Sequence, residues 1–252
     1  MTTRCAIVTG AASGIGLSIA QGLAAEGHDV VIGDLNEENG RDAAEQIGGS
    51  FVKVDLSERE ACRNLVSAAA ERYGKIDILI NNGGFQYVSP LEDFPEDTWD
   101  TMLRVMLTAP FLLTRYVWPH LKRQRWGRIV NIASIHGLIA SPNKVGYISA
   151  KHGLLGLTKT AALEGGGFGI TVNALCPAYV RTPLVEGQIA AQAKTHKIAA
   201  EQVIEEIMLK PAAIKKIIEP DEIADLVLFL CSDRGRSVTG SCWTVDCGWT
   251  AQ

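Results

Sequence analysis

Seven short and almost uninterrupted apolar runs are separated by stretches long enough for helices, and this alternation limits the fold more than any other feature of the chain. The runs are Ala6–Thr9, Asp29–Gly33, Ser50–Val54, Ile76–Ile80, Arg128–Ile132, Thr171–Cys176 and Ser241–Val245. Strands that are apolar on consecutive positions suit burial on both faces of a parallel sheet. The intervening helical patterns are Ile15–Glu26, Glu37–Ile47, Glu58–Tyr73, Asp97–Leu121, Tyr147–Glu164 and Pro220–Cys231. Strand and helix in strict alternation predict right-handed βαβ units. The expected architecture is therefore α/β: a doubly wound, Rossmann-like parallel sheet of about seven strands with helices on both faces. Without a repeat or linker, residues 1–252 read as one domain.

One segment departs from the alternation. Thr182–Pro211 is rich in Ala, Gln, Lys and Ile and looks helical, yet no strand follows it directly. An insertion after the sixth strand lies over the carboxyl ends of the strands, where open α/β sheets bind ligands. We therefore expect a small helical lid at residues 182–211 that covers a substrate.

Composition excludes several classes. Hydrophobic residues make up 47% and charged residues 21%, which is ordinary for a folded globular chain and excludes whole-chain disorder. A net charge of −4 gives no electrostatic reason for a nucleic-acid or anionic-membrane partner. Six cysteines are scattered without a C-x-x-C pair or zinc-type spacing, which suits free thiols in a reducing compartment. The amino terminus lacks a signal-peptide pattern, and no apolar run approaches the ~20 residues of a membrane span. The expected location is the cytoplasm.

The first strand runs into Thr9-Gly10-Ala11-Ala12-Ser13-Gly14-Ile15-Gly16 and then into a helix. In such a turn Gly10 permits a sharp bend, Gly14 lets backbone approach a phosphate, and Gly16 lets helix pack on strand. The helix offers free N–H groups and a positive dipole end to a pyrophosphate. Asp34 follows the second strand, 18 residues after Gly16. A carboxylate there accepts hydrogen bonds from ribose hydroxyls and repels a 2′-phosphate, which favours NAD over NADP. It also suits a helix N-cap. Asp55, after the third strand, serves equally as a cap or as a partner for the adenine amino group. Asn81-Asn82-Gly83-Gly84 forms a turn at the end of the fourth strand that suits contact with a cofactor.

Tyr147 and Lys151 lie four apart at the start of a helix and so share a face. Ser134 ends the fifth strand. A phenol titrates near ~10 and is a poor base at neutral pH. A neighbouring ammonium and a nicotinium ring are both expected to favour the phenolate and lower that value. Ser134, Tyr147 and Lys151 together suit acid/base work on an alcohol while a nicotinamide exchanges hydride.

Taken together, these residues make the whole chain resemble the short-chain dehydrogenase/reductase family. The resemblance rests on Thr9–Gly16, Asn81–Gly84, Ser134, Tyr147/Lys151 and Asn173-Ala174-Leu175-Cys176-Pro177 with Thr182. It implies that Tyr147 is the acid/base, that Lys151 grips the ribose and tunes Tyr147, and that Ser134 positions the substrate oxygen. It further implies an NAD site bordered by Gly10, Ser13, Gly14, Ile15, Gly16, Asp34, Asp55, Leu56, Asn82 and Gly84, closed by Pro177, Val180 and Thr182. A homotetramer is the implied assembly. Within the family, Phe85-Gln86, Ser134-Ile135-His136-Gly137, Asn143-Lys144, the run Thr182–Val185 leading to Gln188, and the ending Val245–Gln252 resemble the D-3-hydroxybutyrate dehydrogenase subgroup. By that resemblance Gln86, His136, Lys144 and Gln188 would hold a small substrate carboxylate. Another hydroxy acid, a cyclic alcohol or a 3-oxoacyl thioester is the rival substrate class. A nucleotide-binding regulatory protein without turnover is the rival outside the enzymes.

Two positions depart from the family pattern. Met106 stands where the family has an Asn whose main-chain carbonyl holds a relay water. A Met side chain cannot hydrogen-bond usefully but its backbone carbonyl still can, so a weakened rather than a lost relay is expected. Ala178 replaces a glycine after Pro177, which would be costly if that backbone needed positive φ.

Overall fold

The computed structural model describes residues 2–251, so Met1 and Gln252 lie outside the described residues, as do the side chains of residues 191, 195 and 196. Seven parallel strands form one sheet in the order β3-β2-β1-β4-β5-β6-β7. They are β1 (Cys5–Thr9), β2 (Asp29–Asp34), β3 (Ser50–Lys53), β4 (Ile78–Asn81), β5 (Gly127–Ile132), β6 (Ile170–Pro177) and β7 (Cys242–Val245). Strand order reverses between β1 and β4, and in open α/β sheets such a switch point leaves a crevice outside the carboxyl ends of the strands.

Both faces of the sheet are apolar, as the continuous runs predict. On β1, Ala6 and Val8 pack to one side with Ile19, Leu23, Val227 and Leu230, while Cys5 and Ile7 pack to the other with Leu65, Leu113 and Val117. Helices α1 (Gly14–Ala25) and α9 (Pro220–Cys231) cover the first side. Helices α3 (Arg59–Tyr73), α5 (Ala109–Gln124) and α6 (Val145–Gly165) cover the second. Local signals set their ends. Helix α2 (Glu37–Gln46) starts where Asn36 accepts from the Asn39 N–H at 3.1 Å, and α3 stops at Gly74 with φ 71°.

The expected helix Asp97–Leu121 is helical throughout but not regular. It divides into α4 (Glu96–Leu103), a π turn (Arg104–Thr108) and α5. One extra residue in that turn shifts the hydrogen-bond ladder, a change that the hydrophobic period does not announce.

The segment after β6 forms α7 (Pro183–His196) and a short α8 (Ala200–Gln202) that continues into a π turn, Val203–Met208. It has its own apolar cluster of Val185, Ile189, Val203, Met208, Leu209 and Ile217. Its two ends are stitched together: Arg181 N–H donates to the Ile218 carbonyl at 2.8 Å, and Ile218 N–H donates to Tyr179 at 3.0 Å. The Arg181 guanidinium bridges Glu186 at the start of α7 and Glu219 at the start of α9. The excursion thus leaves and rejoins the sheet at one place, over the crevice.

All six cysteines are free thiols. Among the described residues no helix is long and apolar enough to cross a membrane, and no group of His, Cys, Asp or Glu is arranged to hold a metal. Ala178 is not among the residues with positive φ, so its replacement of glycine carries no backbone strain.

Candidate active site

A cavity of about 590 Å³ occupies the crevice at the carboxyl ends of the strands, within the usual range for small-molecule sites. Its floor is the glycine turn. Gly10 and Gly14 adopt φ of 63° and 57°, in the left-handed region that glycine alone tolerates freely. A Cβ on Gly10 would lie 2.7 Å from the Gly83 Cα, so the turn and the Asn81–Gly84 loop touch backbone to backbone. Asn82 locks that contact, donating from Nδ2 to the Thr9 and Gly10 carbonyls at 3.0 and 2.9 Å. Ser13 precedes α1 without a side-chain cap, which leaves the first-turn N–H groups facing the cavity without a side-chain partner.

Gly10, Ser13, Gly14, Ile15, Asp34, Asp55, Leu56, Asn82, Gly84, Tyr147, Lys151, Pro177, Val180 and Thr182 all border the cavity. Gly16 does not. A Cβ there would sit 2.3 Å from the Gly10 carbonyl oxygen, so Gly16 supports the turn from behind. The Asp34 carboxylate accepts from the Ala12 and Asn36 N–H groups, each at 2.9 Å. It is thereby aimed at the turn, with lone pairs left for further donors. Asp55 accepts from the Ser57 N–H at 2.8 Å and hydroxyl at 2.7 Å, so one of its oxygens caps a turn. Uncapped N–H groups, glycine backbone and a fixed carboxylate form a donor and acceptor set that fits a dinucleotide.

At the far end, Ser134, Tyr147 and Lys151 converge. Ser134 shares a side-chain hydrogen bond with the Tyr147 hydroxyl. Lys151 donates from Nζ to the Ile132 carbonyl at 2.7 Å and lies 5.5 Å from the Tyr147 ring centre. The expected lowering of the Tyr147 pKa is absent. Burial pushes the phenol above its ordinary value, and only the Ser134 hydrogen bond opposes that. Lys151 spends its close contact on a carbonyl instead, and burial lowers its pKa to about 8. Each group therefore favours its neutral form more than it would in water.

Met106 is buried in the π turn and packs with Met102, Ala150, Tyr147, Phe85 and Phe94. Its side chain fills the space beside Gly84, where a Cβ would lie 3.1 Å from the sulfur. The position that carries an amide in the family is thus part of the apolar wall that desolvates Tyr147.

Four further side chains meet near Tyr147. Gln188, on α7, donates from Nε2 to Gln86 Oε1 at 2.5 Å and joins positions 102 residues apart. Gln86 Nε2 is then buried without a partner among the described residues. Lys144 stands at the start of α6 next to Asn143, whose φ of 65° is a left-handed conformation that Asn adopts readily. The Asn143 carbonyl accepts from the Ser89 N–H at 3.0 Å, which ties the Lys144 and Gln86 loops together. Burial lowers the Lys144 pKa, and among the described residues no acidic group pairs with it. His136 shares a hydrogen bond of 2.8 Å with Ser141 and packs edge-on against Tyr147.

Burial and the nearby Lys144 charge lower the His136 pKa from 6.5 to about 4. The folded chain therefore holds this imidazole neutral, whereas the unfolded chain protonates it below its ordinary value. The associated stability is complete above pH 6.5 and is lost as pH falls toward 4. Thermal unfolding against pH is expected to show a drop in that window that is shallower in His136→Gln.

Tyr179 and Trp249 also border the cavity, with ring centres 5.7 Å apart. Neither was singled out in the sequence. Tyr179 only follows a Pro-Ala pair, and Trp249 reaches the site through the fold of the last residues rather than through a local motif.

The family model described as enoyl-(acyl carrier protein) reductase matches residues 10–250. An uncharacterized oxidoreductase of Bacillus subtilis, YxjF, is 42% identical over 100% of both chains. The D-beta-hydroxybutyrate dehydrogenase of Rhizobium meliloti is 44% identical, covering 99% of this chain and 100% of the relative. Among solved structures, a variant of actinorhodin polyketide ketoreductase with NADPH superposes with a TM-score of 0.94 at 31% identity, covering 99% of this chain and 98% of the other.

Proposed function

The chain belongs to the short-chain dehydrogenase/reductase family of oxidoreductases, which use a nicotinamide cofactor, and from that premise we propose that it oxidises (R)-3-hydroxybutyrate to acetoacetate, reversibly, with NAD. The observation that carries this reading is the set of unsatisfied donors beside the phenol. Among the described residues Gln86 Nε2 is buried without a partner, and Lys144 has no acid to pair with. Burying donors and a cation in this way is costly unless an anion completes them. A short carboxylate does so, and a hydroxyl two carbons away then lies toward Ser134 and Tyr147. Lys144 supplies charge, Gln86 and Gln188 supply directed amides, and neutral His136 supplies a ring nitrogen.

A nicotinamide bound in the cavity supplies the hydride acceptor. Ser134 holds the substrate oxygen by its hydroxyl. Tyr147, as phenolate, takes the hydroxyl proton, and Lys151 stabilises that phenolate through its charge and offers N–H donors to the ribose. The carboxylate of Asp34 would accept from the ribose of the adenosine half. The 182–211 segment is the lid: its Gln188 bond to Gln86 closes it over the substrate and keeps water out.

The test is NADH formation that saturates with (R)-3-hydroxybutyrate and requires Lys144. A cofactor prediction accompanies it. Asp34→Ala removes both the ribose acceptor and the charge opposing a 2′-phosphate. Its ratio of kcat/KM for NAD over NADP is expected to fall about tenfold or more. An unchanged ratio would leave Asp34 a turn-capping residue alone.

A further inference from the structure

Strand β5 and helix α6 are joined by three polar contacts in sequence. Ser134 meets Tyr147, the Ile132 carbonyl accepts from Lys151 at 2.7 Å, and Asn131 donates from Nδ2 to the Thr158 hydroxyl at 2.8 Å. Positions 131 and 132 at the end of the strand, and 134 just beyond it, thus meet 158, 151 and 147 along the helix. The first two contacts belong to the reacting site, whereas Asn131 and Thr158 do not border the cavity and are fully buried.

The third contact does not stop at the helix. The Thr158 hydroxyl in turn donates to the Leu154 carbonyl at 2.8 Å, and Asn131 Oδ1 accepts from Asn81 Nδ2 at 2.8 Å. Asn81 and Asn131 sit opposite each other in the register of β4 and β5. The next residue, Asn82, clamps the Thr9–Gly10 turn. Buried hydrogen bonds from Thr158 through Asn131 to Asn81, and the chain from Asn81 to the part-buried Asn82, therefore link the helix carrying Tyr147 and Lys151 to the nucleotide turn.

Stability is a weak reason for this chain of amides. Asn81 Oδ1 is buried without a partner among the described residues, which opposes folding. Apolar side chains of similar size would avoid that cost, as they do at Ile129 and Val130 on the same strand. What directed hydrogen bonds provide, and apolar packing does not, is a fixed register between strand and helix.

We propose that Asn131 is a positioning residue that, through Thr158 and Asn81, holds α6 in register on β5 and couples the Tyr147–Lys151 pair to the nucleotide turn. The inference rests on the Ser134–Tyr147–Lys151 reading but not on the identity of the alcohol.

Thr158→Val keeps the shape and removes the hydroxyl, and Thr158→Ser restores it. The readouts are kcat, KM and the pH profile of kcat with the alcohol that the native chain oxidises, NADH affinity by fluorescence, and the unfolding temperature. Thr158→Val is expected to lower kcat about tenfold or more, since small misplacements of reacting groups are costly. It is also expected to displace the pH midpoint of kcat and weaken NADH binding, with KM for the alcohol little changed. Thr158→Ser is expected to recover all of these. If only the unfolding temperature falls, while kcat, its pH profile and NADH affinity hold, Asn131 is structural and the inference is overturned. Should Thr158→Val not fold, Thr158→Ala, which leaves room for a water, is read against the same outcomes. A native chain that oxidises another alcohol but not 3-hydroxybutyrate contradicts the proposed substrate alone. A native chain that oxidises none leaves NADH affinity to decide, and an unchanged affinity in Thr158→Val overturns the coupling.

Discussion

Tyr147→Phe is expected to lower kcat by roughly a hundred- to ten-thousand-fold, the range for loss of a general acid/base, while NADH binding persists. Phenylalanine keeps the ring that packs against His136 and the Met102–Met106–Ala150 cluster, so the site is expected to hold its shape. What is lost is the hydroxyl that is bonded to Ser134 and lies beside the Lys151 ammonium. The pH profile carries a second signature. Burial favours the neutral phenol, so oxidation, which needs the phenolate, is expected to rise from neutral toward alkaline pH. Reduction needs the phenol and is expected to fall over the same range. Both trends should flatten in Tyr147→Phe, whose residual rate comes from binding and orientation alone. A variant retaining native turnover would remove Tyr147 from the chemistry.

The other large effect is expected in Lys144→Ala. A hydrogen bond to a charged group contributes about 1.5–3 kcal/mol, so kcat/KM for (R)-3-hydroxybutyrate should fall roughly ten- to 150-fold. Most of the loss should appear in KM, because the ammonium contacts the carboxylate in both ground and transition states. Lys144→Arg should recover little, since a planar fork on a longer stem does not reproduce a compact point charge. The unfolding temperature should change little or rise, because the half-buried cation has no acidic partner to lose among the described residues. An unaltered KM would place the carboxylate elsewhere.

The sheet was legible because each strand is apolar on both faces, and the seven observed strands begin and end within two residues of the apolar runs. The π turn at Arg104–Thr108 was not legible, since a single extra residue hardly disturbs a hydrophobic period. In the site, the glycine turn, Asp34, Ser134 and the Tyr147/Lys151 pair announce themselves through local spacing. Gln86 and Gln188 do not: their hydrogen bond spans 102 residues, and only family resemblance brought them together. Trp249 and Tyr179 were missed for the same reason, as their ring contact exists only once β6 and the carboxyl-terminal turn are in place. Asn131 reads in the sequence as a polar interruption of an apolar strand, and only the packed helix reveals its partner, Thr158. The Tyr147 pKa reversed the simple expectation because sequence spacing gives proximity to Lys151 but not the depth of burial.

The most direct measurement compares the native chain's turnover of (R)-3-hydroxybutyrate with that of its uncharged amide, with NAD in excess. The two differ only in the group that Lys144, Gln86 and Gln188 would hold. The account predicts saturating oxidation of the acid and a kcat/KM at least about tenfold lower for the amide. Equal rates for the two, or oxidation of the amide alone, would contradict it.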